Sequence, residues 1–207
     1  MEDSFVKIKY DKLVYELKFL EADLHYHNSI LEKASAEFNA QCRSTIKDKG
    51  LENVFYGEKS AAEQHAKKQL SDKKSAKKTK VSKDTDLLFK KIATVTHPDK
   101  LLNLEPNEKE AKNEIFLQAT AAKEEDNLLK LHLIAAQLGI EIPEISHSNL
   151  LMFENKIVQI KDEIDSKKST WMWNWLLAPP DKKGALMNDY VSFMIQTVTK
   201  DDSQTTE

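Results

Sequence analysis

The residue types best suited to chemistry stand together in the middle of the chain, at His97-Pro98-Asp99-Lys100. An imidazole and a carboxylate two positions apart could work as a general acid–base pair. However, the sequence shows no activated nucleophile, no glycine-rich phosphate loop and no His and carboxylate cluster at metal-ligand spacing. We therefore predict that the protein is not an enzyme, that it has no catalytic or metal-binding residues, and that it needs no cofactor.

A binding role suits the same residues better. Pro98 has no amide proton and pushes the preceding residue out of helical geometry, so a helix must end near Thr96 or His97. His97 and Asp99 would then lie in a loop, where they can make charge-assisted hydrogen bonds to a partner protein. An ordinary turn, in which Asp99 bonds its own backbone, is the simpler alternative.

The helix before this loop is predicted to begin near Asp84, whose side chain can accept hydrogen bonds from amides of the first turn. Its apolar positions recur at helical spacing, at Leu88, Ile92 and Val95. Lys90 and Lys91 would face away from that side. There they could steer the protein toward an acidic surface on a partner.

The helix after the loop is predicted to begin at Asn107, because Asn107 and Glu110 can form a capping box. It would be long, or broken once near Glu124, and Gly139 is placed to end it in a left-handed cap. Its predicted buried side consists of Ile115 or Phe116, Ala119, Ala122, Leu129, Leu133 and Ala136. Residues 84–142 would thus form an antiparallel helical hairpin.

This segment resembles the J-domain (DnaJ-like) family of co-chaperones in the order and spacing of its residues. In that family an aromatic residue, a basic pair, an aliphatic residue and an alanine precede the His-Pro-Asp tripeptide, and here Phe89-Lys90-Lys91-Ile92-Ala93 occupy those places. Phe116, Ala119 and Ala122 fall where the family's third helix has its packing face. Leu138-Gly139-Ile140 is similar to the end of short bacterial and phage members. The resemblance covers roughly residues 84–140.

The resemblance implies a function. A family member binds a heat-shock protein 70 (DnaK-type) chaperone through this loop and stimulates its ATP hydrolysis. The chain would be a divergent short form without glycine-rich or zinc-finger regions. The residues that would bind the chaperone are Lys90, Lys91, His97, Pro98, Asp99 and Lys100.

Two departures from the family pattern are visible in the sequence. The usual first helix is not visible, because residues 73–83 are too polar to pack, and it is either missing or displaced. Either residues 54–56 or the Trp-rich segment near the C-terminus would then have to cover the hairpin. Val95 and Thr96 also stand where members often have a basic residue and an aromatic residue, which bears on the affinity for the chaperone.

The first 50 residues predict a coiled-coil helix. Apolar residues recur in alternating steps of four and three, and His27 is the polar position that would set the register. This seam consists of Val6, Tyr10, Leu13, Leu17, Leu20, Leu24, His27, Leu31, Ala34 and Phe38. It must pair either with the helix around Ile157 or with another copy of the chain, as a homodimer. A structural coiled-coil adaptor without chaperone activity is therefore the alternative function.

Residues 143–200 are predicted to form C-terminal helices. The four-and-three spacing returns at Leu150, Phe153, Ile157, Ile160 and Ile164. Trp171, Trp173 and Trp175 follow, and they form either a partner surface or a group packed against the coiled coil. Pro179-Pro180 would separate them from a last amphipathic helix, and residues 201–207 would form a disordered tail.

The composition fits this all-α organisation. The 207 residues include only 4 Gly and 5 Pro beside 31% charged residues, too few turn formers for a sheet protein. Residues 51–83 combine a turn with a Lys-rich linker. This linker lacks the interleaved aromatic residues of nucleic-acid binders, so nucleic acid is not an expected partner. Cys42 is the only cysteine, and no long apolar run occurs, which predicts a cytoplasmic protein without an internal disulfide or a membrane span.

Overall fold

A computed structural model of the chain describes residues 2–56, 81–101, 104–142 and 144–204. These residues form helices and no strand, which confirms the predicted all-α class. The helices are α1 (Glu2–Asp48), α2 (Glu52–Tyr56), α3 (Lys83–Thr96), α4 (Pro106–Glu124), α5 (Leu128–Gln137), α6 (His147–Lys168), α7 (Trp171–Leu177) and α8 (Pro180–Gln204), with a short 3₁₀ turn at Pro98–Lys100. Most of the predicted Lys-rich linker lies outside the described residues.

The chain divides into two compact units. Unit 1 comprises Met1–Glu21 and Ser75–Ile160, and unit 2 comprises Ala22–Lys74 and Lys161–Glu207. Helices α1 and α6 therefore supply residues to both units. The predicted helical hairpin at residues 84–142 lies within unit 1.

Helix α1 ends just before Gly50, which adopts a left-handed conformation. Gly50 has a φ of 66°, a left-handed conformation that glycine adopts without strain. The amides of Gly50 and Leu51 donate to the carbonyls of Lys47 and Ile46 at 2.9 and 3.0 Å, which satisfies carbonyls of the last helical turn. The region predicted as a coiled-coil helix is thus one continuous helix up to Asp48.

In unit 1, the buried side of α1 follows the predicted seam. The buried residues are Tyr10, Leu13, Val14, Leu17 and Leu20 of α1 and Leu150, Phe153, Ile157 and Ile160 of α6. The Tyr10 ring meets the Phe153 ring edge to face, with centroids 5.4 Å apart, and Lys9 forms an ion pair with Glu154 at 2.8 Å. Of the two predicted pairings of the seam, the structure therefore has the one within the chain, with the helix that contains Ile157.

Helices α3 and α4 form an antiparallel hairpin in unit 1. Asp86 near the start of α3 pairs with Lys123 near the end of α4, whereas His97 after α3 contacts Phe116 in the middle of α4. Helix α5 packs on both, and the three helices share one apolar core. Its buried residues are Leu88, Ile92, Ala119, Ala122, Leu131, Ile134 and Ala135.

Helix α5 covers the apolar side of the hairpin, a role that the sequence left to residues 54–56 or to the Trp-rich segment. Helix α5 follows α4 after a short turn and supplies Leu131, Ile134 and Ala135 to the hairpin core. Residues 54–56 belong to α2, which has no buried residue.

The buried side of α3 departs from the predicted one at its end. Val95 is 42% exposed, whereas Thr96 is fully buried. The buried side thus runs through Leu88, Ile92 and Thr96, each four residues apart. Thr96 can occupy this position because its hydroxyl donates to the Ile92 carbonyl at 2.9 Å, so no polar atom is left unpaired.

Two predicted helix caps are wrong, although both helices begin within one residue of the predicted starts. Ser82, not Asp84, caps α3, since its Oγ accepts a hydrogen bond from the Thr85 amide at 3.2 Å. Helix α4 begins at Pro106, so Asn107 lies inside the first turn and does not cap it. Proline is favoured at the first helical position because its φ is already helical and its missing amide proton would have no partner there.

Of the two predicted possibilities, one long helix or a break near Glu124, the structure has the break. The break changes which residues are buried beyond it. Asp126 has a φ of 52° and lies between α4 and α5. Spacing carried across this break predicts a buried side at Leu129, Leu133 and Ala136, but these three are only partly buried. The buried residues of α5 are Leu131, His132, Ile134 and Ala135. A residue in the left-handed conformation changes which side of the next helix faces the core. The size of that rotation cannot be read from the spacing of apolar residues.

Gly139 follows α5 in the predicted left-handed cap, with a φ of 67°. Replacing Gly139 with alanine is expected to lower the free energy of unfolding by about 1 kcal/mol, because a Cβ is strained in this conformation even where it meets no neighbour. Gly184→Ala is the matched control, since Gly184 lies inside α8 without a positive φ. Alanine there should raise the free energy of unfolding by about 0.5–1 kcal/mol. Urea titrations followed by circular dichroism measure both, and shifts of the same sign would contradict the strain.

In unit 2, α7 and α8 pack against the later part of α1. Phe38, Trp175 and Met187, one from each helix, form the buried core. The predicted break at Pro179-Pro180 separates α7 from α8. Helix α8 continues to Gln204 and so enters the segment predicted as a disordered tail, while residues 205–207 lie outside the described residues.

His27 is buried in unit 2, as its position in the apolar seam of α1 predicts. Its Nδ1 lies 2.7 Å from the Asp23 carbonyl oxygen, and its ring packs against the Trp173 ring with centroids 4.9 Å apart. The polar atom and the ring both have partners, so packing accounts for His27 in the seam.

Candidate functional site

The loop at residues 97–100 is held by its own backbone. The His97 amide donates to the Ala93 carbonyl at 3.0 Å, which closes the last turn of α3. Pro98 then turns the chain into one 3₁₀ turn, in which the Lys100 amide donates to the His97 carbonyl at 2.8 Å and the Leu101 amide to Pro98 at 3.0 Å. The tripeptide therefore sits on a defined turn at the tip of the hairpin.

Two buried side chains anchor this turn. Thr96 precedes it and is fully buried, and Leu101 follows it and is 1% exposed. The polar residues between them stay at the surface, since Pro98, Asp99 and Lys100 are all exposed. Neither anchor was among the predicted site residues, although Thr96 could have been found as the next position after Leu88 and Ile92 in steps of four.

The His97 ring contacts Asp99 and Phe116, and its Nδ1 lies 3.5 Å from the Asp99 carboxylate. Its Nδ1 accepts a hydrogen bond from the Asp99 amide at 3.3 Å, and its ring meets the Phe116 ring edge to face with centroids 5.2 Å apart. A neutral ring that accepts at Nδ1 has its proton on Nε2, where it can donate to another molecule. The His97 side chain is 46% exposed and that of Asp99 is 87% exposed. The turn thus presents one donor and one acidic acceptor to solvent.

Lys90 lies on the same face of α3 as His97. They are seven residues apart, which is about two helical turns and about 10 Å along the helix axis. Lys90 and Lys123 bond the two carboxylate oxygens of Asp86 at 2.7 and 2.8 Å. Hydrogen bonds from Lys123 and then Lys90 lower the pKa of Asp86 to about 2. This group of two cations and one anion retains a positive charge, and the Lys90 side chain remains 68% exposed.

Lys91 lies about 100° further round the helix than Lys90. It borders a cavity of about 430 Å³ in unit 1, together with Leu87, His132 and Asn149. The two lysines of the predicted basic pair are both exposed, but they point to neighbouring sides of α3. Lys90 shares a face with the turn, and Lys91 lies toward a different part of unit 1.

Behind this cavity, His132 pairs with Tyr10. The Tyr10 hydroxyl and His132 Nδ1 are 2.9 Å apart, and both side chains are buried. Burial lowers the pKa of His132 to about 4, against a smaller opposing effect of the Asp84 charge. Burial also raises the pKa of the Tyr10 phenol. At neutral pH both groups are uncharged, so Tyr10 donates and His132 accepts. Sequence spacing gives no sign of this pair, because 122 positions separate its members.

The three tryptophans are brought together in unit 2, but not as one exposed surface. Trp175 is 1% exposed and packs edge to face on Phe38, with Lys183 Nζ 4.0 Å from its ring centroid. It is therefore not available as the predicted partner surface. Trp171 and Trp173 are partly exposed, and their rings contact Tyr190 and His27. Packing against the coiled-coil helix accounts for Trp173 and Trp175.

Within the described residues, no helix combines the length and the apolar composition that a membrane crossing requires. Comparison with protein-family models, with curated proteins and with solved structures finds no significant match to this chain.

Proposed function

We propose that the protein is a co-chaperone that binds a heat-shock protein 70 (DnaK-type) chaperone through the turn at residues 97–100 and stimulates its ATP hydrolysis. The observation that carries this proposal is the placement of His97, Asp99 and Lys90. A half-exposed imidazole and an exposed carboxylate lie on a hydrogen-bonded turn at the tip of an antiparallel hairpin, on the same helix face as an exposed lysine. The order of the motif residues in the sequence resembles that of the J-domain family, and this resemblance suggests the chaperone as the partner.

The proposed mechanism separates encounter from activation. Lys90 lies in a group with net positive charge, which attracts an acidic surface and orients the approach. Once docked, His97 Nε2 donates and the Asp99 carboxylate accepts within a polar network of the chaperone. These bonds stabilise the chaperone conformation that hydrolyses ATP, so its population rises. Lys91 and Lys100 would add charge at the edge of the contact, and no bond is made or broken in this chain.

The compartment follows from the same proposal. A DnaK-type partner implies the cytoplasm, and Cys42, which forms no disulfide, fits a reducing interior.

A steady-state ATPase assay with a DnaK-type chaperone tests this function. Wild-type protein should stimulate hydrolysis, and His97→Gln should reduce that stimulation about tenfold or more, since a hydrogen bond to a charged network contributes on the order of 1.5–3 kcal/mol. His147→Gln is the matched control, because His147 is an exposed histidine at the start of α6 in the same unit. It should stimulate like wild type. Equal stimulation by wild type and His97→Gln, or none by either, would overturn the proposal.

A structural adaptor without chaperone activity is the second candidate. The observation that favours it is the exposed apolar side of α1, where Phe5, Ile8, Tyr15 and Phe19 are each more than half exposed. The same assay separates the two functions, because an adaptor leaves the ATPase rate unchanged whether or not His97 is present.

A further inference from the structure

Helix α1 has a second apolar face besides its buried seam. Phe5, Ile8, Tyr15 and Phe19 lie in unit 1 and are 69, 62, 73 and 69% exposed. With Lys12 they occupy positions 5, 8, 12, 15 and 19, which alternate in steps of three and four. This exposed stripe, residues 5–19 of α1, has the spacing that fits another helix by knobs-into-holes packing.

The area of the exposed stripe matches that of the largest apolar patch on a typical monomer. Aromatic side chains offer about 150–250 Å² each, so the stripe presents on the order of 500 Å² of apolar surface. The largest patch on a soluble monomer is about 300–600 Å² and is often functional. Two such stripes packed together would bury on the order of 1,000 Å², the lower limit of a specific interface. The stripe therefore suits a weak dimer.

We propose that the exposed stripe binds the same stripe of a second copy of this chain in antiparallel orientation. Ile8 then packs beside Phe19 of the second copy, and Lys12 lies beside Tyr15 of the second copy. The two-fold axis repeats each contact, as a closed dimer requires. This dimer does not use the buried seam of α1.

The charges beside the exposed stripe favour this orientation. In the antiparallel register, Asp11 flanks Lys18 of the second copy, and the two-fold axis gives this pair twice. A parallel pairing of residues 5–19 would instead place Lys12 opposite Lys12 and Asp11 beside Glu16. Both are like-charge contacts, which coiled-coil partners avoid. The charges thus favour a second α1 that runs in the opposite direction over one that runs in the same direction.

Sedimentation analysis of the full chain tests the dimer. Wild-type protein should dimerise reversibly at concentrations on the order of 100 µM, as a small interface allows. Phe19→Glu should raise the dissociation constant by about a hundredfold, because it places a charge in the packed layer. Leu117→Glu is the matched control, since Leu117 is 61% exposed on α4 and should leave the dimer intact. Circular dichroism checks that each variant remains folded.

A charge exchange tests the antiparallel register. Asp11→Lys and Lys18→Asp should each weaken the dimer several-fold, and the double variant should restore wild-type dissociation, since the pair is rebuilt with opposite signs. A dimer insensitive to Phe19→Glu and to the charge exchange would overturn the proposal. So would a wild-type monomer at about 500 µM, whether or not the stripe then binds phosphatidylcholine–phosphatidylglycerol vesicles instead. The assay contains no chaperone, so its outcome is independent of the proposed function.

Discussion

Replacing Ile92 with alanine is expected to lower the free energy of unfolding by about 2–5 kcal/mol. Ile92 is fully buried in the core that α3, α4 and α5 share, beside Leu88 and Leu131. Alanine removes apolar contacts and leaves a cavity that the surrounding helices fill only in part. The loss would be the largest single effect that we predict for the hairpin, and urea unfolding at pH 7 followed by circular dichroism measures it.

Val95→Ala is the matched control for Ile92→Ala. Val95 lies on the same helix, three residues on, but it is 42% exposed. Its truncation should change the free energy of unfolding by less than about 0.5 kcal/mol. The periodicity of the sequence assigned both residues to one buried side, and the structure does not. Equal losses from the two substitutions would contradict the burial of Ile92 and the exposure of Val95.

Periodicity predicted burial well where a long helix runs without interruption. Leu13, Leu17 and Leu20 of α1, and Ile157 and Ile160 of α6, are buried as their spacing required. A stripe repeated over several turns leaves only one side of the helix that can face a core, so the pattern determines the burial. The helix that packs against this buried side, by contrast, could not be predicted from spacing alone.

Short helices and helix ends were predicted less well, because few residues define their phase. In α3 a buried Thr96 replaces the expected Val95, since a hydroxyl that bonds its own helix is acceptable in a core. After the left-handed Asp126, the buried side of α5 no longer continues that of α4. Such local choices depend on the neighbouring helices, which a single sequence does not reveal.

The candidate site also has features that the sequence predicts and features that it does not. The turn at residues 97–100 was predictable, because Pro98 forces a helix to end. Lys123 was not, because it meets Asp86 only when α3 and α4 pack together, 37 positions apart in sequence. The basic pair was predicted to face away from the apolar side of α3, and both lysines are exposed. Adjacent helical positions point about 100° apart, so Lys91 lies toward a different side from Lys90.

Acidification between about pH 6.5 and pH 4 is expected to destabilise unit 1 through His132. Burial lowers the pKa of this histidine from 6.5 to about 4. As the pH falls through this window, the unfolded chain binds a proton at His132 while the folded chain does not. Protonation therefore favours unfolding, and the stability present above pH 6.5 is lost progressively down to pH 4. The total loss from this one group is about 3 kcal/mol, of which about 2 kcal/mol should already be gone at pH 5.

The variant that isolates this effect is His132→Gln, whose amide can still accept the Tyr10 hydrogen bond but does not titrate. Urea unfolding at pH 7 and pH 5 should show a smaller loss for His132→Gln than for wild type, by about 2 kcal/mol. Carboxylates such as Asp86, with its pKa of about 2, contribute equally to both proteins and cancel in the comparison. An equal loss in wild type and His132→Gln would show that His132 is not the titrating group.

Tyr10→Phe then distinguishes the cause of the lowered pKa. Desolvation by burial is the largest contribution at His132, and the Tyr10 hydroxyl adds only one hydrogen bond, in which the ring accepts. Phenylalanine keeps the ring against Phe153 and keeps His132 buried. The variant should therefore be less stable at pH 7 by about 1 kcal/mol and should retain the wild-type loss between pH 7 and pH 5. If Tyr10→Phe instead abolished the pH dependence, the hydrogen bond rather than burial would hold His132 neutral, and the core of unit 1 would depend on a polar contact more than on its packing.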